Sequence, residues 1–146
     1  MQKAIVFRAF FLSVISLYFG FMADAQSTIT FYANISDTES ESGWVGHVWV
    51  GLKEGAGAER VVGFYPGGLR DDSGRKADIN YSFPVQSTTP ARNVLEEYSA
   101  KGYFLGLRDC RAFASDVAAA VGLRVPAGQG ARSPAEWMAE LVELNF

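Results

Sequence analysis

The chain has 146 residues, a formal net charge of −3, 20% charged residues, and one histidine and one cysteine. A lone cysteine excludes an internal disulfide, and one histidine with one cysteine falls short of the usual nitrogen and sulfur ligand count of a zinc site. The basic residues are scattered, with no block interleaved with aromatics, so the charge pattern excludes an evident nucleic-acid footprint.

In chain order, Lys3 and Arg8 precede an apolar run from Ala9 to Met22, and Ala23-Asp24-Ala25 is an A-x-A cleavage pattern. The run is shorter than the roughly 20 apolar residues that cross a bilayer. Residues 1–25 are therefore expected to be a signal peptide, and residues 26–146 a single exported domain, periplasmic or secreted. No stable membrane anchor is expected after cleavage. The remaining length suffices for a core without staples.

Ser27 to Ile35 alternates in polarity and predicts a strand. Asp37 to Gly43 is acidic, Ser-rich and loop-like. Val45 to Leu52 predicts a second strand, residues 53–58 a turn, and Glu59 to Tyr65 the returning strand of a hairpin. Pro66-Gly67-Gly68 is expected to stop that strand. Leu69 to Ala77, which holds Arg70, Asp71, Asp72, Arg75 and Lys76, is expected to be a solvated polar loop. Asp78 to Val85 predicts another strand.

Three helices follow. Thr89 is a candidate cap with Pro90 at the first position, and Gly102 ends that helix. Gly102 to Leu107 is apolar and expected to be extended. Asp109 caps a second helix from Cys110 to Val121, stopped by Gly122. Its Cys110, Phe113, Ala114, Val117 and Val121 share one face. Ser133-Pro134-Ala135-Glu136 is a capping box that opens a third helix with Trp137, Met138, Leu141 and Leu144 as its buried stripe. The fold class expected is α+β, an antiparallel sheet packed against helices. No phosphate-cradling glycine loop and no calcium loop is present, so no cofactor or metal is expected.

Two residues carry possible chemistry. Free thiols in oxidising compartments usually pair or are absent, so Cys110 is buried and inert, joined to another chain, or functional. Its place in the first turn of a helix favours a thiolate, and His47 on a strand is a candidate to take the proton. With Leu52 opposite Arg60, His47 falls opposite Tyr65 on one face of the sheet. The Tyr65 hydroxyl is then a candidate to hold the imidazole or to line an oxyanion site; the alternative is a packed cross-strand aromatic. Asp109, as a cap beside the thiol, partly opposes thiolate formation.

The run Gly46-His47-Val48-Trp49-Val50-Gly51-Leu52, a turn, Gly63-Phe64-Tyr65-Pro66 and, much later, Asp109-Cys110-Arg111-Ala112-Phe113 resembles the circularly permuted papain-like families. These are relatives of NlpC-type cell-wall peptidases and include lecithin:retinol-acyltransferase-like proteins. In that arrangement the histidine strand precedes the cysteine helix. The resemblance covers about Gly43 to Leu123. It implies a cysteine peptidase or amidase with Cys110 as nucleophile, His47 as base and an acyl-enzyme intermediate, acting on a peptide or cell-wall peptide. Asp109 departs from the amide residue that often precedes the cysteine, and the third catalytic residue does not carry over. An inactive papain-like binding module and an acyltransferase on lipid are the alternatives.

Overall fold

The computed structural model describes residues 26–35, 46–105, 107–128 and 132–146. The expected signal peptide, the Asp37 to Gly43 loop and the middle of the linker before the third helix lie outside them. Five strands and three helices follow one another as β1 (Ser27–Asn34), β2 (His47–Lys53), β3 (Arg60–Tyr65), β4 (Gly68–Asp71), β5 (Ile79–Val85), α1 (Thr89–Ser99), α2 (Cys110–Ala120) and α3 (Pro134–Asn145). The strands form one antiparallel sheet in the order β4-β3-β2-β1-β5. The expected α+β class is what the chain adopts.

Strand alternation divides the sheet into two unlike faces. Ile29, Phe31, Ala33, Val48, Val50, Leu52, Val62, Phe64 and Phe83 point to one face and are buried there against Leu95, Tyr98, Phe113, Val117, Trp137 and Leu141 of the helices. The aromatic rings of this core meet edge-on, as at Phe64–Tyr98 (4.8 Å) and Phe31–Trp137 (5.7 Å), the arrangement that ring quadrupoles favour. The polar tips of buried rings are satisfied: Tyr98 donates to Asp116 (2.6 Å) and the Trp137 indole to Ser115 (2.9 Å). All three helices therefore occupy one side of the sheet.

The helix ends follow their local chemistry. Asp109 accepts from the backbone of Arg111 (3.0 Å) and Ala112 (3.1 Å), which satisfies two of the unpaired amides at the start of α2. Ser133 and Glu136 form the reciprocal capping box of α3. Ser133→Ala is expected to lower stability by about 1 kcal/mol, read as a shift in the urea midpoint without a change in slope.

Two segments depart from expectation. β3 stops at Tyr65, before Pro66, as expected, but the polar stretch after it is not all loop: Tyr65 pairs with Gly68, Gly68 takes φ 99°, a step open to glycine, and residues 68–71 return as β4. Charged side chains on this edge strand concealed it from hydropathy alternation. The segment expected to be extended is not: Phe104 and Arg108 exchange backbone hydrogen bonds (2.9 and 2.7 Å).

Candidate functional site

His47 and Trp49 sit on the sheet face opposite the helices. The register Leu52↔Arg60 is the one the hairpin predicts. The hydrogen-bonded ladder ends at Trp49↔Gly63, and beyond it the His47 and Tyr65 rings stack, with centroids 4.3 Å apart. Trp49 stacks in turn on His47 (5.8 Å) and on Tyr32 (5.7 Å), so four rings run side by side as Tyr65, His47, Trp49 and Tyr32.

Two glycines make room for carboxylates over this face. A side chain at Gly63 would meet Asp72 Oδ2 at 2.1 Å, the Tyr65 ring at 2.7 Å and His47 Nε2 at 2.9 Å. A side chain at Gly51 would meet Glu59 Oε1 at 2.2 Å. Each carboxylate accepts from a tyrosine: the Tyr65 hydroxyl donates to both oxygens of Asp72 (2.9 and 2.7 Å), and Tyr32 donates to Glu59 (2.9 Å). Burial, with Glu59 beside it, pushes Tyr32 up to about 12. Arg75 Nη1 donates to the Tyr65 oxygen (2.9 Å), lies 3.9 Å from Asp72, and rests over the Trp49 ring at 5.1 Å. The β4–β5 connection is thus strapped onto the sheet. His47 Nε2 is buried without a hydrogen bond, 3.8 Å from Asp72 Oδ2, which is too long for one.

Cys110 is elsewhere. It opens α2, as predicted, but belongs to the helix-side core and is 6% exposed. Burial pushes the thiol up to about 12, against a backbone hydrogen bond from Val48 that favours the thiolate; Asp109 adds to the rise and Arg111 opposes it. The sulfur therefore lies against the strand that carries His47, at the residue that follows it. The expected Cys110–His47 pair is not brought together, because adjacent residues of a strand face opposite ways and Val48, not His47, faces α2. The expectation of a lowered thiol pKa is likewise reversed: apolar burial outweighs the helix start. Tyr65 does meet His47, as the register requires, but through its ring; its hydroxyl serves Asp72 rather than the imidazole.

The thiol's titration has a stability consequence. Its pKa in the folded state lies above the ordinary value of 9.0, so its contribution is fully present below about pH 9 and is lost as pH rises toward 12. Cys110→Ala is expected to flatten the alkaline fall of stability in that window, measured by thermal melts from pH 8 to about 11. A slope identical to wild type would show that the thiol ionises as freely when folded as when unfolded.

Asp72 and Arg75 are the site residues that sequence reading left in a solvated loop. Asp72 is 9% exposed. The readable signal was the pairing of an in-strand glycine at 63 with a carboxylate shortly after the hairpin, a sign of close approach to the sheet face. Among the described residues no group of histidine, cysteine or carboxylate side chains is arranged to hold a metal ion. Comparison with protein-family models, with curated proteins and with solved structures finds no match.

Proposed function

We propose that this domain is a non-enzymatic binding module, in which Cys110 packs the core and the His47–Tyr65–Asp72–Arg75 cluster fixes the strap over the sheet. The observation that carries it is the separation of thiol from imidazole: Cys110 is buried on the helix side, while His47 stacks with Trp49 and Tyr65 on the other. A nucleophilic cysteine needs a thiolate at working pH and a base within hydrogen-bond reach. Here burial holds the thiol protonated, and the imidazole Nε2 stands 3.8 Å from the Asp72 carboxylate.

A second reading, the exported cysteine amidase or peptidase, keeps one favourable observation. Cys110 stands in the first turn of α2 with its sulfur at the backbone of Val48, the residue after His47. It requires the start of β2 to rotate so that the imidazole crosses to the helix side. Its substrate would be a peptide or cell-wall peptide, or an acyl lipid if the enzyme transfers rather than hydrolyses.

Iodoacetamide labelling of the folded protein across pH separates the two. The binding module predicts that Cys110 stays unlabelled at neutral pH and reacts once denaturant is added. Rapid labelling with an apparent pKa below the ordinary thiol value of 9.0, abolished by His47→Ala, would overturn it in favour of the hydrolase.

A further inference from the structure

His47 Nε2 is buried and makes no hydrogen bond. Folded chains rarely leave a buried polar atom so, because its lost hydration is not replaced. Asp72 Oδ2 stands 3.8 Å away, about 1 Å beyond hydrogen-bond length. The spacing has a cause at the level of the proton. An imidazole with its proton on Nε2 would donate to the carboxylate and close the gap even when neutral. With the proton on Nδ1, Nε2 offers a lone pair, and two acceptors face each other with nothing between them. The 3.8 Å gap is that of a pair lacking its proton.

The surroundings suit a cation at this place. The two Asp72 oxygens are divided: Oδ1 lies 3.9 Å from Arg75 Nη1, and Oδ2 faces His47. The imidazole stacks on the Tyr65 ring (4.3 Å) and the Trp49 ring (5.8 Å), whose faces attract positive charge. His47 and Asp72 are both buried, so water screens the pair weakly. Two cations oppose a further charge: Arg75, engaged with Oδ1 and the Tyr65 oxygen, and Arg70 of β4, over the Tyr65 ring. At the end of β1, Asp78 holds the Ile35 amide (2.9 Å) beside Asn34, the ladder partner of His47. Glu59 is bound to Tyr32, on the other side of Trp49. From the helix side, Cys110, between Asp109 and Arg111, meets Val48. Among the described residues the ion-pair partner of Nε2 is Asp72. A direct charge-assisted hydrogen bond outweighs the repulsion of cations that meet other atoms.

We propose that His47 and Asp72 form an acid-operated latch on the strap: a proton taken up at Nε2 is shared with Asp72 Oδ2, and residues 72–78 are held more tightly to the sheet. The proton comes from water and binds the Nε2 lone pair, and no other covalent bond forms or breaks. Histidine is the side chain that changes charge between about pH 5 and 8, so the strap is tighter toward the acid end of that range and looser toward the other. The latch rests on the strap role proposed above for this cluster and not on the state of Cys110. Thiol labelling and the latch therefore fail separately.

The test is nitrogen-15 NMR of the imidazole, with amide hydrogen exchange, on the untagged protein from about pH 8 to about pH 5. His47 is the only histidine, so its ring nitrogens give the only imidazole signals. At the alkaline end the neutral ring is expected to carry its proton on Nδ1. At the acid end both nitrogens are expected to be protonated, with the Nε2 proton hydrogen-bonded. Two strap amides report the consequence: Asp72 N–H, bonded to Val61, and Arg75 N–H, bonded to Asp72. Both are expected to gain about ten-fold in protection from exchange, the factor that one charge-assisted hydrogen bond supplies. In Asp72→Asn the gain is expected to fall to about three-fold or less, since a neutral acceptor is about half as strong. The tautomer is read on the wild type, so the test does not depend on the variant folding. A proton on Nε2 at the alkaline end, an imidazole still neutral in the folded protein at the acid end, strap amides no better protected in acid, or an undiminished gain in Asp72→Asn would each overturn the latch.

Discussion

Asp72→Ala is expected to destabilise the domain by about 3 kcal/mol, measured by urea denaturation. The carboxylate accepts the Tyr65 hydroxyl proton, with its two oxygens 2.9 and 2.7 Å from the phenol oxygen, and lies 3.9 Å from the Arg75 guanidinium and 3.8 Å from His47 Nε2. It is buried, so water does not readily replace it. Its removal takes a buried acceptor from the Tyr65 phenol and the Asp72 charge from beside the Arg75 guanidinium, and breaking one side of a buried pair costs more than the pair contributes. Asp72→Asn keeps an acceptor for Tyr65 and loses only the charge, so its cost is expected to be smaller. A loss below about 1 kcal/mol for Asp72→Ala would show that the strap is solvated in solution.

Gly63→Ala is expected to cost a similar amount, about 3 kcal/mol, for a different reason. In most strands alanine is the better residue, because glycine forfeits more entropy on folding. Here the added Cβ would stand 2.1 Å from Asp72 Oδ2 and 2.7 Å from the Tyr65 ring. The carboxylate or the strap must lift, and the hydrogen bonds to Tyr65 go with it. The two substitutions share an atom, so they are expected not to add: in the Asp72→Ala background the penalty for Gly63→Ala should shrink by 1 kcal/mol or more. Strict additivity in a double-mutant cycle would separate the glycine from the carboxylate and remove the physical basis given for both.

The same cluster bears on what the protein does. Histidine, carboxylate and tyrosine in contact are the materials of acid–base chemistry, but their environment decides whether they work as such. His47 is 3% exposed and Trp49 wholly buried, and the tyrosine hydroxyl is occupied by Asp72 and Arg75. This arrangement holds a loop against a sheet.

Much of the fold was written locally. Alternation at Ser27–Asn34, the Leu52–Arg60 register, the Asp109 cap and the Ser133–Glu136 box each depend on residues a few positions apart, and each appears in the structure as its own chemistry dictates. The juxtaposition of His47 with Tyr65 followed from the same register. β4 was lost because its charged edge shows no apolar alternation, and the strap because nothing near Asp72 in the sequence says that the chain folds back over Gly63.

Which face of the sheet the helices cover is not a local property. Period-two alternation already assigns His47 and Val48 to opposite faces, and the helical period already groups Cys110 with Phe113 and Val117. What brings a given helix to a given face is the total apolar area that can be removed from water. Val48, Val50, Leu52, Phe31 and Phe64 offer more of it than a face of rings and glycines spaced to admit carboxylates. The sequence by itself determined four of the five strands, the hairpin register, the Asp109 and Ser133 caps and the position of Cys110 at a helix start. Only the tertiary structure decided that the thiol and the imidazole stand on opposite sides of one strand, because burial is settled by the sum over the whole sheet and not by either residue.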